Sequence, residues 1–75
     1  METNKSHKAV SLSFSEGKMT IQLEDGRELS VSLEWFPRLR NASKNQLNDW
    51  RLIANGEGIH WNEIDEDILV ERLLD

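Results

Sequence analysis

The sequence predicts an α+β domain, a three-stranded antiparallel meander followed by a short helix, a small hairpin and a C-terminal helical turn. Three observations carry this. Apolar residues alternate with polar ones through the first half, glycine-containing turn signals interrupt the alternation twice, and the second half combines a helix-capping signature with near-helical apolar spacing at its end. Seventy-five residues allow one modest core, so the expected organisation is a polar lead-in over 1–7 and a single domain over 8–75.

The meander comes first. Val10, Leu12 and Phe14, then Met19, Ile21 and Leu23, then Leu29, Val31, Leu33 and Trp35 occupy every second position, which is the period of a half-buried strand. Ser15-Glu16-Gly17-Lys18 and Glu24-Asp25-Gly26-Arg27 separate these runs, and both contain residues that tolerate positive φ. The opposite face carries Ser11, Ser13, Thr20, Gln22, Ser30 and Ser32 and is expected to meet solvent.

The apolar face needs a cover, and only the second half has the surface to supply it. Pro37 is expected to end the third strand and to hold Phe36 extended. Ser43-Lys44-Asn45-Gln46 matches a capping box and starts a helix that would place Leu47 and Trp50 on one face. Leu52-Ile53 and Ile59-His60-Trp61, joined through Asn55-Gly56-Glu57-Gly58, read as the second hairpin. Ile64, Ile68, Leu69, Leu73 and Leu74 recur near helical spacing and end the chain. Trp35, Trp50 and Trp61 are assigned to the core as large apolar anchors.

The run WFPRLRNAS followed by QLNDWRLIANGEGIHWNEIDEDILVERLL resembles the small bacterial family known as domain of unknown function 2442, whose members show Trp-Phe-Pro-Arg-Leu, Trp-Arg-Leu-Ile and Ile-His-Trp-Pro-x-Leu-Asp-Glu-Asp motifs. Here Asn62 stands where the family usually has proline, and Ile64 where leucine is common. The resemblance extends from about Leu23 to Leu74. It implies a compact α+β domain that occurs alone, beside another small protein or fused to a helix-turn-helix domain, with a role in pairs of the toxin–antitoxin type. It implies no catalytic residue.

The residues themselves point away from chemistry. With no cysteine there is no disulfide, thiolate ligand or thiol nucleophile. A net charge of −5 repels nucleic-acid phosphates, so direct nucleic-acid binding is disfavoured. The apolar runs are short and the start METNKSHKAV lacks a secretory core, which reads as a soluble cytoplasmic chain without a membrane segment. His60 with Glu63 and Asp65 or Asp67 has legitimate zinc-ligand types, but the only other histidine is His7, far from any standard spacing. Asp65-Glu66-Asp67-Ile68-Leu69-Val70 lacks the sixth-position glycine of a calcium loop. A glycosidase carboxylate pair would need a cleft that a chain of this length can hardly wall. The expectation is therefore that the Gly56–Ile68 stretch is structural, with His60 facing away from Ile59 and Trp61, and with Asp65 or Asp67 capping the last helix.

No cofactor, metal or catalytic residue is expected. What remains is binding: a non-enzymatic protein–protein interaction domain, resembling an antitoxin-type component that holds a small, basic, toxin-like protein. The alternatives are a regulatory module for a DNA-binding transcriptional regulator supplied in trans and an acidic inhibitor of phage or host origin. Acid gathers from Glu63 to Glu71 beside apolar residues, so Glu63, Ile64, Glu66, Ile68 and Glu71 are the expected partner surface. Arg38, Arg40, Lys44 and Arg51 form a basic counterpart around the middle helix, suited to an acidic partner.

Overall fold

The computed structural model describes residues 8–74; the lead-in expected over 1–7 lies outside the described residues. The first half forms an antiparallel sheet in the order β1 (Ala9–Ser15), β2 (Lys18–Leu23), β3 (Glu28–Ser32). Both turns follow from local chemistry. Glu16 and Gly17 take positive φ, 51° and 77°, the left-handed pair that matches the twist of a two-residue hairpin. At the second turn Gly26 has φ 95°, while the Asp25 carboxylate accepts the Arg27 backbone N–H at 3.1 Å and its Nε–H at 2.8 Å.

The alternation places Leu12, Met19, Ile21 and Leu23 in the core and leaves Ser13, Gln22 and Ser30 exposed, with Ser11, Thr20 and Ser32 half-buried on the same polar face. Val10 departs from it. The β1–β2 register shifts between Ala9 and Ser11, a bulge that turns Ala9 inward and leaves Val10 54% exposed.

β3 ends at Ser32, three residues before the run of alternation does. The Ser32 hydroxyl accepts the Glu34 N–H at 3.1 Å and starts a 3-10 turn over Leu33–Trp35. Leu33 still reaches the core, but Trp35 is carried out of the ladder. Pro37 accordingly does not terminate a strand. It opens a helix absent from the expected element order, α1 (Pro37–Arg40), at the first helical position, where proline's missing N–H costs nothing and its φ is already helical. That single turn drives Leu39 into the core.

The capping box forms as expected: Ser43 Oγ accepts the Gln46 N–H at 3.1 Å and Gln46 Oε1 accepts the Ser43 N–H at 2.9 Å, starting α2 (Lys44–Leu47). The helix stops at Leu47, so Leu47 and Trp50 do not share a helical face. Trp50 instead begins β4 (Trp50–Ile53), which pairs with β5 (Gly58–Trp61) around a 3-10 turn over Ala54–Gly56.

A third strand, β6 (Asp67–Leu69), completes a second antiparallel sheet in the order β4-β5-β6. Only then does α3 (Val70–Leu73) begin. Ile64 and Ile68 are four apart and mimic a helical face, yet a loop residue and a strand residue bring them separately to the core. A strand of three residues is too short to display a period of two.

Both sheets feed one hydrophobic cluster. Ala9, Leu12, Met19, Ile21 and Leu23 come from the first; Ile59, Trp61 and Ile68 come from the second, with Leu33, Leu39, Ile64 and Val70 from the segments around it. The meander is thus covered chiefly by another sheet, not by helices. Among the described residues no polar side chain is buried in this core and no helix is long and apolar enough to cross a membrane.

Candidate protein-docking site

The expected surface at the acidic end does not assemble. Ile64 and Ile68 are 9% and 5% exposed, core residues with almost nothing to offer a partner. Glu63 and Glu71 are exposed and Glu66 is half-buried, so the acids remain but the apolar centre they were to rim is turned inward. Burying the two isoleucines adds their apolar area to the one core that so small a domain can build.

Asp65 and Asp67 do not cap α3 either. Its N-cap is Leu69, without a side-chain hydrogen bond, and the helix start is tied instead by the Val70 N–H, which donates to the Glu57 carbonyl at 3.0 Å. Asp65 meets Arg38 at 3.4 Å, an exposed pair of small energetic weight. Asp67, on β6, places Oδ1 2.6 Å from His60 Nδ1. His60 points away from Ile59 and Trp61, as strand geometry requires, and lies in register between Arg51 and Asp67 across β4, β5 and β6. Among the described residues, no three histidine, aspartate or glutamate side chains gather where they could hold a metal ion.

The basic cluster is partly neutralised. Besides the Arg38–Asp65 pair, Arg40 meets Glu34 at 3.1 Å. Lys44 and Arg51 are exposed and form no ion pair among the described residues.

The tryptophans divide three ways. Trp61 is fully buried, and its Nε1–H donates to the Leu47 carbonyl at 3.0 Å, so the indole spends its polar edge without reaching solvent. Trp50 is half-buried against the core. Trp35 is 79% exposed, which corrects its assignment to the core: the 3-10 turn after β3 rotates it outward while Leu33 and Phe36 pack inward.

Trp35 does not stand alone. It borders a groove of about 440 Å³ whose walls are Ser30 to Ser32 of β3, Phe36, and Arg72 and Leu73 of α3. Val31, Phe36 and Leu73 are half-buried there, so the groove has an apolar floor continuous with the core, while Arg72 is exposed and makes no ion pair among the described residues. An indole beside apolar walls with one available cation is the composition of a binding surface. The signal was present in the sequence: Trp35 and Phe36 are adjacent, and two consecutive strand positions cannot face one core. Arg72 and Leu73, 36 and more residues away in sequence, join them only through the fold of the second sheet.

The family described as "Protein of unknown function (DUF2442)" matches this chain over residues 9–75, and the chain belongs to it. No curated protein and no solved structure matches significantly.

Proposed function

We propose that this DUF2442 member is a non-enzymatic protein–protein interaction domain that acts in the cytoplasm by binding a small partner protein, as an antitoxin-type component restrains its toxin. The observation that carries this reading is Trp35. A domain of this size has few large apolar side chains, and it leaves its bulkiest type 79% in water beside a groove floored by Val31, Phe36 and Leu73. Exposed indoles with apolar surroundings supply much of the energy of protein interfaces, because they bury large area with little loss of side-chain freedom. The groove replaces the Glu63–Glu71 end as the docking face, and the exposed acids act as a field that steers a basic partner toward the molecule.

The test is capture followed by reconstitution. The tagged chain should retain a stoichiometric small protein from source-cell extract, and the purified pair should re-form in vitro. Trp35→Ala should weaken that complex by more than about 30-fold, the loss of about 2 kcal/mol or more that marks a central interface residue. The same variant should stay folded, since exposed positions usually shift stability by no more than about 0.5 kcal/mol. A reconstituted complex indifferent to Trp35→Ala would move the interface elsewhere.

A further inference from the structure

β3 forms one edge of the first sheet, and its hydrogen-bonding pattern says which groups are open. Leu23 N–H donates to Arg27 O at one end of the β2–β3 ladder (2.8 Å), and Leu33 N–H donates to Gly17 O at the other (2.9 Å). In an antiparallel pair such bonded positions alternate, so Leu29 and Val31 face β2 while the peptide groups of Glu28 and Ser30 and the N–H of Ser32 point away from it. Among the described residues no other backbone group satisfies those of Glu28 and Ser30.

Open strand edges invite pairing, and folded domains usually obstruct them. Here β1 is bent by its bulge, β6 has three residues, and β4 carries Arg51. β3 is less obstructed: five residues in unbroken register, without lysine, arginine or proline and with its one charge, Glu28, at its first position, running along the floor of the Trp35 groove.

The strand Glu28-Leu29-Ser30-Val31-Ser32 is also self-complementary. An antiparallel copy centred on Ser30 sets Glu28 against Ser32 at both ends, with Leu29 against Val31 on the core side. Ser32 and Arg72 line the same groove, so each Glu28 would arrive at the cation that lacks an ion pair among the described residues. Glu28 is itself exposed.

We propose that the β3 edge is the pairing face of a symmetric dimer, in which the second copy of this chain joins strand to strand and the two meanders become one six-stranded sheet. This rests on the reading of the Trp35 groove as a protein-binding face and names an occupant for it. A second copy and a partner protein that both need the groove exclude one another there.

Sedimentation equilibrium on the full chain is the experiment. The expected species has twice the 8.7 kDa mass of one chain. Ser30→Pro should dissociate it, because proline removes an N–H that faces the open edge and leaves the β2 ladder intact. Glu28→Arg and Arg72→Glu should each weaken association at least tenfold, and the double exchange should recover it. Hydrogen exchange on the unmodified chain checks the same claim should Ser30→Pro fail to fold: the Ser30 amide should gain protection as concentration rises.

A wild-type chain that stays monomeric up to about 1 mM, the weak end of specific association, overturns the proposal. So does a dimer that survives Glu28→Arg with the Ser30 amide exchanging freely. Failure here is separable from failure of the functional reading. A monomer whose partner capture still needs Trp35 sinks only the dimer, while a β3-paired dimer whose partner ignores Trp35 sinks only the docking face.

Discussion

Trp61 and Trp35 show how one residue type takes opposite roles within a chain of 75 residues. Trp61 sits on β5 with its ring fully buried and its N–H satisfied by Leu47, so removing it empties the largest volume in the core and orphans a carbonyl. Trp61→Ala should cost about 3–5 kcal/mol, enough to unfold most of the population of so small a domain, as urea denaturation followed by circular dichroism would show. Asp25 offers a gentler test. The Arg27 backbone N–H, and then its guanidinium, hold the carboxyl below its ordinary value near 3.8. A group depressed on folding adds stability above its unfolded pKa and loses it as pH falls through the folded one. The turn should therefore keep its full contribution at neutral pH and weaken only below about pH 4, the ordinary aspartate range. A carboxyl titration by NMR should place Asp25 below the ordinary aspartate value near 3.8.

Among the elements, the short ones depend on their ends. α2 has four residues, too few for helical propensity to sustain it, and the reciprocal Ser43–Gln46 bonds close its first turn. Ser43→Ala should lower stability by about 1 kcal/mol, the usual value of such a cap, measured by the shift of the denaturation midpoint. The β4–β5 connection depends on Gly56. Its φ is +94°, and a Cβ there would lie 2.9 Å from the Ala9 carbonyl oxygen, a backbone atom that cannot step aside. Gly56→Ala should exceed the cost of ordinary surface changes several-fold, through both strain and collision.

At the scale of the whole molecule, the two sheets share a core and neither has one of its own. Ile21 comes from the first sheet and Ile59 from the second, and both are fully buried in the same cluster. Ile21→Ala and Ile59→Ala should each cost about 2–5 kcal/mol and move a single transition, with tryptophan fluorescence and circular dichroism coincident in both variants. Separate transitions for the two probes would mean that the sheets fold as independent units.

Much of this was legible along the chain because it depends on neighbours in sequence. The meander needs a period of two and turns that accept positive φ; the capping box needs residues three apart; the outward aim of His60 needs only that Ile59 and Trp61 face the core. What the tertiary structure alone decided was which side of a surface each ambiguous residue takes. Ile64 and Ile68 satisfy a helical spacing in the sequence and the core in the fold, because burial of apolar area outweighs the local periodicity that four residues can express. Asp65 and Asp67 stand where a cap is chemically apt, but β6 delays the helix until Val70 and leaves them to Arg38 and His60. Trp35 belongs to an unbroken alternation, yet the Ser32 hydroxyl bends the backbone after β3 and sends the indole into solvent. The groove beside it joins residues 30–36 to Arg72 and Leu73, a distance along the chain that only the second sheet closes.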